Sequence, residues 1–229
     1  MTEVSDEVWQ GLLALDTPTV CNALEIINPA RRACGFNIRP FRCIRPELPP
    51  ILGYARTARI RAAHRPAARM DSDGYYSYIA EGGPKPSITI IEDLDDTPGY
   101  GAFWGEVNTN IHYGLGSLGV ITNGSVRDLP DSQPNFQMLA AVVNPSHAWV
   151  SVVDWGAQIN IHGMDVADRD LVHADMHGAV VIPIGDTAAV VEEAAKIMAR
   201  ERIVIEASQQ PGFNMDKLRE AWKGQADIH

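Results

Sequence analysis

Glu106, Arg127, Asp128 and Asp131 are the residues of this chain whose types and spacing best fit a chemical task. Twenty residues separate Glu106 from the adjacent Arg127-Asp128 pair, and Asp131 follows two residues beyond it. Carboxylates are hard oxygen ligands suited to Mg2+ or Mn2+, which keep several waters and are bound through one or two carboxylates. Arg127 offers a planar fork of donors that matches a substrate carboxylate. A metal and an arginine side by side would bind a 2-oxo acid, and both would stabilise an enolate developing next to its carboxylate. The competing reading of the same residues is a surface Arg-Asp ion pair and an unrelated helix acid.

The elements that must position these groups read as helix, strand, turn and then charge. Gly105-Glu106-Val107-Asn108 opens a helix, Gly119 ends it in a left-handed cap, Val120-Ile121 is a short buried strand, and Asn123-Gly124 is a turn signal. Arg127 and Asp128 then emerge past a strand end, where ligands bind in open α/β sheets.

Upstream, Ser5-Asp6 precedes Val8, Trp9, Leu12 and Leu13, and Thr17-Pro18-Thr19 precedes Val20 to Ile26, which predicts two capped helices. Residues 30–52, with four prolines, read as a loop, and Gly53–Ile60 as a strand. Ser72-Asp73 caps a helix that Gly82-Gly83-Pro84 ends. Strand Ser87–Ile91 delivers Glu92, Asp93, Asp95 and Asp96 to a loop. That loop competes as a metal site, but it lacks the alternation of an EF-hand and reads as solvated. Further strands are expected at 138–144, 149–153 and 179–183, and helices over Glu192–Val204 and Phe213–Trp222. Periodicity alone gives the α/β class.

The histidines are ambiguous. His173 and His177 share one face if helical, yet Leu171-Val172 and Ala179 to Ile182 read as strands, and no third histidine or cysteine accompanies the pair. A structural role is favoured over pocket lining, with zinc last. His147 is a loop residue able to carry a proton, and His112 reads as a packing residue of the central helix.

A chain of 229 residues that is 45% hydrophobic can bury one core. Its net charge of −10 disfavours nucleic acid as a direct ligand, and an anionic substrate would need local positive potential. Cys21, Cys34 and Cys43 lack disulfide or zinc spacing, so a reducing cytoplasm is the default. The acidic start, Met1 to Glu7, is unlike a signal peptide, and no apolar run reaches bilayer length. A cytoplasmic protein that binds no membrane is expected.

Glu106-x20-Arg127-Asp128-x2-Asp131 resembles the (Asp or Glu)-x20-Arg-Asp-x2-(Glu or Asp) motif of the class II pyruvate aldolases, which cleave 4-hydroxy-4-methyl-2-oxoglutarate and 4-carboxy-4-hydroxy-2-oxoadipate, within the RraA-like family. Phe103-Trp104-Gly105-Glu106 and the segment from Asp170 to Pro183 are similar to the family as well, and the resemblance covers about residues 10 to 220. It implies a single α-β-β-α domain over 1–229, like the swivelling phosphohistidine domain. Helices at about 5–27 and 186–224 would pack on it or join subunits of a homotrimer or hexamer.

The resemblance also implies roles. Asp128 would ligate Mg2+ or Mn2+ directly, Glu106 would hold its water, and Arg127 would bind the substrate and the pyruvate enolate. The amides of Gly105, Glu106, Val107 and Asn108 would receive the pyruvate carboxylate. Glu201 from a neighbouring subunit would add a carboxylate to the metal site, and a water positioned by Glu106 or Asp131 would take the hydroxyl proton. The implied activity is a metal-dependent carbon–carbon lyase on a 2-oxo acid, by retro-aldol cleavage of a 4-hydroxy-2-oxo diacid to pyruvate, by oxaloacetate decarboxylation, or by both. The alternative is a non-catalytic RraA-type regulator that binds a ribonuclease or helicase, in which the position of Glu106 is typically glycine. Asp168-Arg169-Asp170 departs from the family's Pro-Gly-Asp turn, a difference that would reshape the pocket.

Overall fold

The computed structural model describes residues 4–226, so Met1 to Glu3 of the acidic start and the last three residues lie outside the described residues. Helix α1 (Asp6–Leu13) is capped by the Ser5 hydroxyl and α2 (Thr17–Ile27) by Asp16, which accepts the Thr19 amide at 2.9 Å. A second carboxylate, Asp175, accepts the Thr17 amide at 2.9 Å, so α2 starts against two negative groups that favour its positive end. The 30–52 loop holds a short 3-10 turn at Pro29–Ala33 and a two-residue strand, β1 (Arg42–Cys43).

The remaining elements alternate about one sheet. They are β2 (Ile51–Arg61), α3 (Ser72–Glu81), β3 (Ser87–Asp93), β4 (Ala102–Trp104), α4 (Glu106–Gly114), β5 (Ser117–Val126) and β6 (Gln137–Val143). After them come β7 (Ser151–Trp155), β8 (Ile159–Ile161), β9 (Met164–Val166), β10 (Leu171–Asp175), β11 (Gly178–Ile182), α5 (Thr187–Ser208) and α6 (Met215–Ala226). Nine strands form a mixed sheet in the order β1-β6-β5-β3-β2-β10-β11, with β4 on β5 and β7 on β2. The pairs β2–β3, β3–β5, β4–β5 and β5–β6 are parallel. This is the expected α/β class with a mixed sheet.

Alternation along β2 sorts the core. Leu52 and Tyr54 face α1, α2 and α5, while Ala58 and Ile60 on the same side face α3 and the aromatic cluster of Phe103, Trp104 and Phe136. Ile51 and Ala55 point to the other side, where the β8–β9 ribbon covers the sheet with Ile159, Ile161, Met164 and Val166. Ile197 on α5 is buried against α2, whereas Met198, Ile205, Phe213, Met215 and Trp222 are exposed. Both C-terminal helices run longer than expected. Among the described residues, no helix is long and apolar enough to cross a membrane.

Four local expectations are corrected. Helix α4 ends at Gly114, and Gly116, at φ +87°, supplies the left-handed turn. Gly119 lies inside β5, where an added Cβ would sit 2.5 Å from the Gln137 carbonyl, so this glycine serves close strand approach rather than a cap. Asn123-Gly124 is not a turn: both residues lie within β5, at a register shift. The Asn123 side chain accepts the Asp93 amide at 2.7 Å and donates to the Asp93 carbonyl at 3.0 Å, imitating a strand partner.

The acidic loop is not simply solvated either. Asp93 and Asp95 are buried and committed to backbone: Asp93 accepts the Gly99 and Asp95 amides, and Asp95 accepts those of Ala62 and Ala63. These carboxylates fold the connection rather than offering a metal site. Helix α3, finally, is capped by Asp71, one residue before the expected Ser72.

The strand reading around His173 and the packing reading of His112 hold. His173 lies on β10 with Nδ1 3.0 Å from the Thr17 hydroxyl, and His177 sits beyond Asp175, which accepts its amide at 2.8 Å. His112 is fully buried among Tyr75, Phe103 and Trp104. Its Nδ1–H donates to the Asn108 carbonyl at 2.7 Å, so Nε2 accepts from the Tyr75 hydroxyl at 2.9 Å.

Burial lowers the His112 pKa from 6.5 to about 4. The folded value lies below the unfolded one, so the unfolded chain takes up the proton first as pH falls. The contribution is therefore intact above pH 6.5 and lost progressively down to about 4. We expect unfolding free energy from urea titrations to drop on the order of 3 kcal/mol across that window from this group. His112→Gln should flatten that part of the pH profile.

Candidate active site

The carboxyl ends of the parallel strands β4 and β5 deliver the candidate residues. Trp104 ends β4 and Val126 ends β5, and the Arg127 amide donates to the Trp104 carbonyl at 2.8 Å, which locks the two strand exits together. Gly105 follows the first strand and Arg127-Asp128 the second, so the start of α4 and the Arg-Asp pair face each other.

Between them lies a cavity of about 350 Å³. Gly105, Val107, Asn108, Arg127 and Asp128 line it, and so do Met70, Tyr76, Phe103, His147 and Val150.

Helix α4 has no side-chain cap from its own N-cap residue, Gly105, and its first intrahelical bond runs from the Thr109 amide to Gly105. The amides of Glu106, Val107 and Asn108 thus begin the helix without an intrahelical acceptor, which makes this end attractive to an anion. Asp128 supplies part of that anion: Oδ2 lies 3.3 Å from the Glu106 amide. An added Cβ on Gly105 would come within 2.4 Å of Asp128 Oδ2, so only glycine permits this approach. Asp128 itself sits at φ +53°, in the left-handed region, and its carbonyl accepts the Asp131 and Ser132 amides at 3.0 and 2.8 Å.

Arg127 Nε lies 3.3 Å from Asp128 Oδ2, longer than a strong charge-assisted bond, and both side chains are about one-third exposed. Such a pair contributes little to stability and leaves the fork and the carboxylate available. Asp128 is a half-buried hard oxygen donor beside open space, and that donor chemistry fits Mg2+ or Mn2+ holding most of its shell as water. Among the described residues, no group of three or more His, Cys, Asp or Glu side chains is placed to hold a metal, a requirement such a water-rich ion does not impose.

Not every expected residue meets here. Glu106 contributes its amide, but its side chain is exposed, and neither Glu106 nor the exposed Asp131 lines the cavity. Glu201 is exposed on α5, which packs on α1, α2 and α6, away from the lining elements. Met70, Tyr76 and Val150 enter although the sequence did not single them out. Tyr76 donates to Asn108 Oδ1 at 2.7 Å, and Met70 closes one wall.

His147, left open in sequence, lines the cavity with Nδ1 2.8 Å from the Ala148 carbonyl. Only a protonated Nδ1 can bond a carbonyl, so the neutral ring carries its lone pair on Nε2. The Asn108 side chain is fully used, since Nδ2 also donates to the Phe103 carbonyl at 2.6 Å. Asn108→Ala removes both bonds and should cost about 1–2 kcal/mol in urea denaturation, with Tyr76→Phe costing roughly half as much.

Three comparisons bear on relationship. No curated protein matches the sequence. Among solved structures, an uncharacterized protein from Pseudomonas syringae pv. tomato is 21% identical, with 96% of this chain and 95% of that chain covered and a TM-score of 0.72. Streptomyces coelicolor RraAS2, described as an unusual member of the RNase ES inhibitor RraA protein family, is 17% identical over 88% of this chain and 97% of that one, with a TM-score of 0.68. The RNA-processing inhibitor RraA from Thermus thermophilis is 17% identical over 71% and 92%, with a TM-score of 0.51. These likenesses are of fold. The family model described as RraA-like, Aldolase/RraA, matches residues 17–181, which spans β2 to β10 and the whole Arg127-Asp128 region. The chain belongs to the RraA-like family.

Proposed function

We propose that this protein is a divalent-metal-dependent carbon–carbon lyase that acts on a 2-oxo acid, by retro-aldol cleavage of a 4-hydroxy-2-oxo diacid to pyruvate or by decarboxylation of an oxaloacetate-like one. The observation that carries the reading is the placement of a loosely paired Arg127 and Asp128 opposite the uncapped start of α4, across one cavity.

Each feature has a task in such a reaction. The Val107 and Asn108 amides at the helix start receive the substrate carboxylate. The Arg127 fork binds the same end and lies where negative charge develops on the 2-oxo oxygen as the carbon–carbon bond breaks. Asp128 holds Mg2+ or Mn2+, which when bound supplies Lewis-acid polarisation of the 2-oxo group. Glu106 and Asp131, both exposed, are the groups to position a water that takes the hydroxyl proton in the aldol reaction. His147 lines the same cavity and, with its lone pair on Nε2, is a second proton carrier. In the assembled homotrimer or hexamer that we propose, Glu201 of a neighbouring subunit adds a carboxylate.

A second reading is a regulator that binds a ribonuclease or helicase. It is favoured by the descriptions of the Streptomyces and Thermus relatives as inhibitors of RNA processing or of an RNase. The absence of glycine at position 106 weighs against it.

With Mg2+ or Mn2+ present, Asp128→Ala and Arg127→Ala should each lower pyruvate release from oxaloacetate at least about a hundredfold, as removal of one transition-state donor does. Gly105→Ala should weaken Mn2+ binding in calorimetry, because its Cβ displaces the Asp128 carboxylate. Unchanged pyruvate release in the folded variants would refute the lyase. Recovery of a stoichiometric ribonuclease by a protein inert toward every 2-oxo acid would establish the regulator instead.

A further inference from the structure

A second, larger cavity of about 540 Å³ adjoins the first, and Met70 lines both. The segment after β6 forms their common wall: His147 and Val150 face the smaller cavity, and Trp149, Ser151 and Val152 the larger. The larger one is lined by Arg61, His64, Arg65 and Arg69. In a chain of net charge −10, three arginines and a histidine around one space call for a reason.

Asp71 and Asp95, also in the lining, offset part of that charge and leave an excess. The two acids in the lining are engaged with backbone amides: Asp71 accepts the Gly74 amide at 2.9 Å, and Asp95 accepts the Ala62 and Ala63 amides at 2.7 and 2.8 Å. Arg61 donates to the Leu94 carbonyl at 2.9 Å, and its approach to Asp95 is 4.0 Å. The Arg65 guanidinium lies 5.7 Å over the Trp149 ring, a contact that orients the fork and leaves its donors unused. Among the described residues, Arg69 and His64 make no hydrogen bond or ion pair. The exposed Arg65 and Arg69 forks, which border this concave space without a carboxylate partner, are suited to bidentate capture of an oxyanion.

We infer that this cavity is the subsite for the far carboxylate of a dicarboxylic acid whose 2-oxo end is held at Arg127, with Arg65 and Arg69 as its specificity-determining residues. The role of the near end rests on the lyase reading above, whereas oxyanion capture by the arginines does not. Because the second cavity exceeds the first in volume, charge rather than bulk selects the far end of the ligand. Monocarboxylic 2-oxo acids would leave the forks unpaired and bind less well.

The test separates the two readings. Full-length protein is titrated calorimetrically with succinate and, at matched ionic strength, with butyrate. Succinate should bind at least about tenfold more tightly than butyrate, and the double variant Arg65→Ala/Arg69→Ala should lose that preference, since each charge-assisted bond is worth about a factor of ten. Asp128→Ala should keep the preference even if it abolishes lyase activity, so failure of the lyase reading and failure of this one give different results. Where pyruvate release is measurable, the double variant should raise KM for oxaloacetate about tenfold while kcat changes less than about twofold. Arg65→Lys/Arg69→Lys should recover part of the preference. Equal binding of succinate and butyrate by the wild-type protein, or an unchanged preference in the double alanine variant with native circular dichroism, would overturn the proposal.

Discussion

Strand β5 has two successive partners along one edge, and the candidate site exists because of that exchange. Its first half pairs with β3 as far as Ile91 opposite Thr122, and its end pairs with β4 through Ser125 and Val126. Two parallel strands cannot occupy one edge without a break, and a break inside a buried sheet leaves backbone groups to satisfy. Asn123 meets that need by bonding both the amide and the carbonyl of Asp93, while Thr122 Oγ1 accepts the Gly124 amide at 2.9 Å. Asp93 then turns its carboxylate onto Gly99 and Asp95, bending the chain so that β4 returns beside β5.

From this exchange follows the meeting of two segments far apart in sequence. The strand exits are tied by the Arg127–Trp104 bond, so α4 starts opposite the Arg-Asp pair. The helix cannot rotate about its axis, because His112 is pinned between the Asn108 carbonyl and the Tyr75 hydroxyl while Tyr76 and Phe103 hold the Asn108 side chain. Beneath it, Trp104 stacks on Phe136 with ring centroids 5.6 Å apart. The polar face of the cavity is thus fixed by a buried aromatic cluster, and surface charge is free to serve binding rather than cohesion.

Much of this was legible in the sequence, and what was not has physical causes. Arg127 and Asp128 beyond a strand end, the helix start at Gly105, and the strand character of Leu171 to Ile182 are carried by local signals of periodicity and punctuation, and the structure has them. Asn123-Gly124 misled because turn propensity is local, whereas the Asn123 side chain is spent on a strand thirty residues away. Gly119 has the composition of a cap, yet its need for a missing Cβ comes from Gln137 on the next strand. The carboxylates of Asp93 and Asp95 resemble a solvated run until their amide partners are known. Met70 and Tyr76 escaped as site residues because no spacing relative to the Arg-Asp motif marks them. The proposed roles of Glu106, Asp131 and Glu201 came from resemblance rather than from any geometry within one chain.

The left-handed backbone of Asp128 has a bearing on how this position drifts over evolutionary time. Short polar residues and glycine tolerate φ near +53°, whereas β-branched or bulky side chains pay about 1–2 kcal/mol there. The fold therefore filters substitutions at position 128 toward Asp, Asn and Gly before any selection on chemistry acts. A family member that performs no chemistry here would still tend to carry one of the three, so an aspartate at this position does not by itself report a function. The arginine before it carries no such backbone constraint, so its loss or retention is the cleaner record of what a member of this fold still does.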